Sequence, residues 1–311
     1  MNQFKKNIFL ITGASGFIGS NLLRRLVEKK AQVHIILRKK SNTWRINDLL
    51  HKVKIHYSDL SKYEEVLKIV QKTKPTVIYH LASFGAYPFQ INPDKILKVN
   101  VMGTWNLLHA LLNHEYKLFV NTGSSSEYGF KNKPMKETDL LEPASYYAVS
   151  KCTQTHLCSH MAKESNKPIV TLRPFSVYGP YEEPSRFIPT LLKSLYSGKK
   201  MSLTSPETAR DFIYVDDMVD AYLKIEELRK YQGMCFNIGT GIQSTIKQVV
   251  KEASEVTNRK ISLEWGKIKP RSWDTTNWVA DISLAKKLLK WKPRYDLNRG
   301  LHKNWEWFKN K

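Results

Sequence analysis

Ile8-Phe9-Leu10-Ile11-Thr12-Gly13-Ala14-Ser15-Gly16-Phe17-Ile18-Gly19 is the stretch that decides how this chain folds. An apolar run leads directly into a turn with a glycine at every third position, and an amphipathic segment follows over 18–28. Continuous apolar sequence marks a strand covered on both faces, and glycine lets the backbone come close to a ligand. The first N–H groups of a helix lack intrahelical partners and favour negative charge. A strand, glycine turn and helix in that order therefore predict a seat for a dinucleotide pyrophosphate. The spacing is G-x-x-G-x-x-G rather than G-x-G-x-x-G, so Gly13, Ser15, Gly16, Phe17, Ile18 and Gly19 are the candidate phosphate contacts. Lys5-Lys6 ahead of the apolar run imitates an export signal, but the run ends in the turn, so none is read.

The same alternation continues outward. Apolar runs at 33–37, 53–57, 77–81, 118–122 and 169–173 read as strands, and 63–73, 96–113 and 147–163 read as helices between them. Strands separated by helices predict an α/β fold, a doubly wound parallel sheet with ligands beyond the carboxyl ends of its strands. From Pro174 the pattern loosens, with helices at 187–197, 218–228 and 246–256, a late strand at 236–238 and many tryptophans near the end. The expected division is a dinucleotide-binding domain over 1–174, joined by segments around 211–217 and 235–240, and a smaller interwoven substrate lobe over 175–311.

Fifty basic against 28 acidic residues give a formal charge of +22 over 311 residues. The lysines come singly or in pairs among acids and no nucleic-acid motif accompanies them, so a solvated surface is read, with a positive field for anionic substrates. No apolar stretch is long enough to span a bilayer. Cys152, Cys158 and Cys235 lack the spacing of metal ligands or of a disulfide framework, which suits a reducing cytoplasm.

Two further places carry chemistry. The second strand ends in Arg38-Lys39-Lys40, where NAD-specific sites usually carry an acid for the ribose hydroxyls. Arg38, with its planar fork, and Lys39 suit a 2′-phosphate, so NADP(H) is favoured and NAD(H) is the alternative. Asp59-Leu60 is expected at the adenine and Leu81-Ala82-Ser83 along the ribose side. Tyr147 and Lys151 stand four residues apart on a predicted helix and therefore share a face. An ammonium there lowers the phenol from its ordinary value of about 10 toward neutrality and fits it for proton transfer.

Taken together, these marks resemble the extended short-chain dehydrogenase/reductase family, specifically its nucleotide-sugar epimerases, dehydratases and reductases. The resemblance runs nearly the whole chain: Thr12-Gly13…Gly16…Gly19, Asp59-Leu60, His80-Leu81-Ala82, Asn100-Val101-x-Gly103-Thr104, Glu127-Tyr128-Gly129, Tyr147…Lys151, Arg173-Pro174, Val177-Tyr178-Gly179-Pro180, Arg210–Asp217 and Trp291-Lys292-Pro293. It implies Tyr147 as acid/base, Lys151 as ribose anchor and Ser124 as partner of the same sugar oxygen. Asn100 and Pro174 join the cofactor contacts. Ser83, Ser124, Ser125, Ser176 and Phe187 fall to the substrate, and Arg210 and Arg271 clamp its diphosphate. A homodimer through the helices at 96–113 and 147–163 is expected on the same ground.

The resemblance is less specific about the reaction. Dehydratases of the family carry an acid-bearing triplet where this chain has Ser124-Ser125-Ser126, and Glu127 comes one place later. The Gly123–Gly129 stretch and the Arg210–Asp217 block look like those of reductases acting on 4-keto-6-deoxy nucleotide sugars, which implies NADP(H)-dependent reduction at C4. A 4-epimerase that retains its NAD(P) is the alternative. A 4,6-dehydratase, whose second-strand pattern Arg38–Ile46 also resembles, and a non-catalytic NADP-binding module complete the set.

Overall fold

The computed structural model describes residues 3–269 and 275–310. Six strands, β1 (Ile8–Thr12), β2 (Gln32–Leu37), β3 (Lys54–Tyr57), β4 (Val77–His80), β5 (Leu118–Thr122) and β6 (Ile169–Pro174), join the strand Cys235–Ile238 in one seven-stranded sheet. The order is Cys235–Ile238, β6, β5, β4, β1, β2, β3. The registers are parallel, with Thr12 opposite both Ile36 and His80. β1 therefore has β2 on one side and β4 on the other, and the winding reverses between β1 and β4. In open α/β sheets that reversal opens a crevice beyond the strand ends, where Thr12-Gly13 and His80-Leu81 meet.

The residues fall into two compact units, each built from three segments of chain. One comprises Met1–Glu127, Pro143–Arg173 and Tyr222–Phe236; the other comprises Tyr128–Glu142, Pro174–Ala221 and Asn237–Lys311. In the first unit, Leu10, Ile36, Ile78, Phe119 and Ile169 from the strands meet Val66, Ile69 and Val70 of the helix Tyr63–Thr73, together with Leu107, Leu108, Cys158 and Met161. In the second, Leu191, Leu192 and Leu195 of the helix Phe187–Ser197 pack with Val249 and Val250 of Ile246–Thr257 and with Leu301 and Trp305 of Leu297–Lys309. Thr245 starts the helix Ile246–Thr257 with a capping box in which Gln248 reciprocates.

Two expected helices are broken. The one expected at 96–113 is α-helical over Pro93–Leu97, forms a π turn over Lys98–Met102, and resumes as Gly103–Ala110. The extra residue turns the Asn100 amide inward, onto Phe84 and Ser150, while Leu107 and Leu108 stay in the core. The one expected at 218–228 ends at Tyr222 and a short turn follows at Ile225–Leu228. The Tyr222 carbonyl accepts the Tyr79 hydroxyl at 3.0 Å rather than a helical N–H. Among the described residues no helix is long and apolar enough to cross a membrane.

Candidate active site

The glycine turn is built as a cradle. Gly13 sits at φ +75°, and a Cβ there would lie 2.5 Å from Ala82 N and Leu81 C, so only glycine fits between β1 and the segment after β4. The Gly16 N–H donates to Gly13 O at 3.0 Å, and Gly16 caps the helix Phe17–Glu28 without a side chain. First-turn N–H groups then face the turn beside half-buried Ser15, Phe17 and Ile18, with Gly19 buried behind them. These residues fit a pyrophosphate.

At the end of β2, Arg38, Lys39 and Lys40 are exposed, and the turn is closed by Arg38 N–H to Ser41 Oγ at 3.0 Å and Ser41 N–H to Arg38 O at 2.9 Å. Asp59 follows β3. Burial pushes its carboxyl up, but the Ser61 N–H and hydroxyl and the Arg38 and Lys98 cations prevail and hold it below its ordinary value. Leu60 is buried, and its carbonyl accepts from Asn106 Nδ2 at 2.9 Å. Leu81 and Ala82 are half-buried after β4, and Ser83 is exposed.

Tyr147 and Lys151 lie on the helix Tyr146–Glu164, which Ser145 caps by accepting the Ala148 N–H at 3.1 Å. Tyr147 is half-buried, and a Cβ on Gly85, itself at φ +100°, would come within 3.2 Å of the Tyr147 ring. Lys151 is 1% exposed. Its Nζ donates to Thr122 O at the end of β5 and to Gln154 Oε1 at 2.5 Å. Burial pulls its pKa down to about 8, against the opposing pull of the Glu127 anion. Asn100, fully buried, spends its amide on the Phe84 backbone and on Ser150 Oγ, and Ser150 Oγ donates to the Tyr147 carbonyl at 2.7 Å. It thus braces the loop after Ser83 against the helix that carries Tyr147.

Ser124 begins the turn Ser125–Tyr128. Its hydroxyl lies 2.7 Å from that of Ser126, and its N–H donates to Glu127 Oε1 at 2.7 Å. Ser125 is buried beside it. Glu127 is fully buried and meets Arg173 at 2.9 Å through both Nε and Nη2. Burial pushes the Glu127 carboxyl up, and the Arg173 guanidinium pulls it back. Sequence gave this pair no role: Glu127 is an acid out of register with the dehydratase triplet, and Arg173 is only a family mark. A glutamate closing a run of serines after one core strand, with an arginine at the end of the following strand, is the signal that could have joined them.

In the second unit Arg210 lies on the strand Ala209–Arg210. Its Nη1 donates to Ala209 O at 2.7 Å, and the guanidinium lies 5.2 Å from the Trp278 ring centroid. Ser176 pairs in parallel register with Phe212, and Phe187, half-buried at the start of its helix, lies 6.2 Å from the Phe212 ring. Pro174 closes β6. Arg271 lies outside the described residues.

Residues 9–239 match the NAD dependent epimerase/dehydratase family. The chain belongs to that family. It is similar to an uncharacterized UDP-glucose epimerase of Bacillus subtilis, 30% identical over 94% of this chain and 95% of the relative. It is also similar to the dTDP-4-dehydro-6-deoxyglucose reductase of Escherichia coli, 29% identical over 96% of each. Among solved structures, UDP-glucose 4-epimerase of Thermotoga maritima with UDP-glucose superposes with a TM-score of 0.89 at 27% identity, covering 97% of this chain and 99% of the other. The UDP-glucuronic acid 4-epimerase of Bacillus cereus, in complex with UDP-glucuronic acid and NAD, gives 0.86 at 28%, covering 97% and 99%. As a member of this NAD(P)-dependent epimerase/dehydratase family the chain is an enzyme.

Proposed function

We propose that this epimerase/dehydratase family member reduces the C4 keto group of a hexose or deoxyhexose carried on a nucleotide diphosphate, with NADP(H) as its dinucleotide. What supports the reading is the buried Lys151, whose Nζ donates to Thr122 O at the end of β5 two residues before Ser124, with Tyr147 one turn earlier on the same helix and the Gly13 cradle in the same unit. Tyr147 gives its phenolic proton to the C4 oxygen. The Lys151 ammonium favours the phenolate left behind, and the Ser124 hydroxyl, steadied by Ser126, polarises the carbonyl. A bound nicotinamide dinucleotide supplies the hydride.

Gly13, Ser15, Gly16, Phe17, Ile18 and Gly19 hold its pyrophosphate, Asp59 and Leu60 the adenine, and Leu81, Ala82 and Ser83 the ribose side, and Asn100 and Pro174 are further contacts of the dinucleotide. Arg38 and Lys39 take the 2′-phosphate. Arg210, with Arg271, takes the substrate diphosphate. Ser83, Ser125, Ser176 and Phe187 complete the substrate contacts. Elimination of water has no free acid to drive it in the serine cluster, because Ser125 and Ser126 stand where acids are needed and Glu127 is committed to Arg173.

A second reading, 4-epimerisation with retained dinucleotide, is favoured by the likeness to the UDP-glucose 4-epimerase of Thermotoga maritima. Purified enzyme mixed with NADPH and a 4-keto-6-deoxy nucleotide sugar separates the two. Loss of the reduced-nicotinamide absorbance supports the reductase. Product from a non-keto nucleotide sugar without added dinucleotide supports the epimerase, and tight NADP binding with neither leaves only a binding module. Tyr147→Phe is expected to lower kcat by roughly a hundred- to ten-thousandfold while dinucleotide binding persists. Turnover at the normal rate would remove Tyr147 from its role. Exposed Leu97, Met102, Trp105, Tyr146 and Val149 on the helices that carry Asn100 and Tyr147 support a homodimer, which sedimentation tests directly.

A further inference from the structure

A buried chain of hydrogen bonds leads from the glycine turn to the helix of Tyr147, and its proton directions follow from valence alone. Thr104 Oγ1 donates to Asn100 O at 2.5 Å. A carbonyl only accepts, so the single hydroxyl proton of Thr104 is used there. The contact between His80 Nε2 and Thr104 Oγ1, 2.8 Å, then requires the proton to sit on Nε2. In the neutral ring Nδ1 is bare and accepts from Thr12 Oγ1 at 2.7 Å. Thr12 Oγ1 in turn receives the Ala82 N–H at 3.3 Å. Thr12, His80, Asn100 and Thr104 are all fully buried. Burial, reinforced by the Lys151 ammonium, pulls the His80 ring down to about 3, so it stays neutral across the working range.

The far end of this chain is the π turn Lys98–Met102. A π turn shifts the helical ladder by one residue. Just beyond it the Thr104 hydroxyl donates to the carbonyl of Asn100, whose amide clasps Phe84 and Ser150, and Ser150 holds the Tyr147 carbonyl.

We propose that His80 is a positioning residue: as the Nε2–H tautomer it orients the Thr104 hydroxyl onto Asn100 O and so fixes the π turn that registers Tyr147 against the glycine turn. The positioning role rests on the reading of Tyr147 as the acid/base, whereas the tautomer does not. His80 and Thr104 are fully buried, so their effect belongs to geometry, where a displacement of about 1 Å is worth up to a hundredfold in rate.

Two measurements test it. In nitrogen-15 NMR of the wild-type enzyme, His80 is expected as a neutral Nε2–H ring that does not titrate between pH 5 and 9, values set by the ordinary histidine range of about 6.5. An Nδ1–H ring, or one that titrates there, overturns the proposal whether or not any sugar nucleotide is turned over. In kinetics, His80→Phe and Thr104→Val are each expected to lower kcat roughly ten- to a hundredfold, with dinucleotide affinity kept. The double variant should be no worse than the single ones, because both break one chain. His80→Gln, which restores a donor toward Thr104, should recover most of the rate and guards against a Phe variant that does not fold. Normal kcat in folded variants, additive losses, or loss explained by dinucleotide release would each overturn the proposal. A wild-type enzyme inert toward every nucleotide sugar would instead overturn the function proposed above and leave the NMR result standing.

Discussion

Each unit buries carboxylates, and they are satisfied in opposite ways. In the second unit, Asp211 accepts from Thr240 N–H, Thr240 Oγ1, Gly241 N–H and Ala280 N–H, and Asp217 accepts from the N–H groups of Arg294 and Tyr295. Main chain does most of this, joined by the Thr240 hydroxyl and by the exposed Arg294 guanidinium 3.6 Å from Asp217, so these acids fasten loops together. In the first unit, Glu127 faces a buried guanidinium and shares its surroundings with the buried ammonium of Lys151. Acids neutralised by backbone stabilise a fold, whereas opposed side-chain charges withheld from water are expensive to keep and are retained where their fields are used. The acids of Arg210–Asp217 and of Ser124–Glu127 look alike on the page. What surrounds them separates their roles.

The sharpest way to break that contrast is Asp211→Asn. The amide nitrogen would face N–H groups that now point at a carboxylate, leaving two or more buried donors unpaired at about 1–3 kcal/mol each. A loss of roughly 4 kcal/mol is expected from denaturant unfolding, with kcat of the folded fraction preserved. Glu127→Gln comes next. It keeps an acceptor for the Ser124 N–H but strands the Arg173 guanidinium, for which about 3 kcal/mol is expected. Here kcat of the folded enzyme should fall too, since the ammonium of Lys151 loses a favourable neighbour. Adding Arg173→Met should restore most of the stability without restoring the rate. If the double variant regains full turnover, Glu127 is a structural counter-ion and the contrast fails.

Much of this architecture was legible in the sequence, and the reasons for success and failure are physical. Buried parallel strands are nearly all apolar, so β1, β5 and β6 stand out, and the glycine turn betrays itself because a Cβ at Gly13 meets backbone. Tyr147 and Lys151 share one helix as their spacing predicts, because helical spacing fixes which residues share a face. The π turn was invisible, since it depends on where the Asn100 amide finds partners in segments distant along the chain. The helix stop at Tyr222 was hidden for the same reason, its carbonyl being taken by Tyr79. Local pattern reveals local structure. The partners of Glu127, His80 and Asn100 are decided by tertiary packing, which no window of sequence contains.

The smallest expected effect has the opposite sign, and it sharpens the contrast most directly. Lys151 titrates near 8 in the folded protein against an ordinary 10.5. At about 1.4 kcal/mol per pKa unit, holding the ammonium inside costs the fold on the order of 3 kcal/mol near neutrality. Lys151→Met removes that cost and also removes the bonds to Thr122 O and Gln154 Oε1, worth about 1 kcal/mol each. A net gain of about 1 kcal/mol at pH 7 is expected, alongside loss of turnover. Between pH 8 and 10.5 the unfolded chain keeps a proton that the native lysine has released, so wild-type stability receives a rising contribution from this group as pH climbs. The advantage of the Met variant should therefore shrink through that window and reverse above it, where only the lost hydrogen bonds remain. Thermal melts of both proteins at pH 7, 9 and 10.5 measure this. A Met variant that is less stable at pH 7 would mean that the ammonium supports the fold, leaving Lys151 no different in kind from the backbone-fastened acids of the other unit.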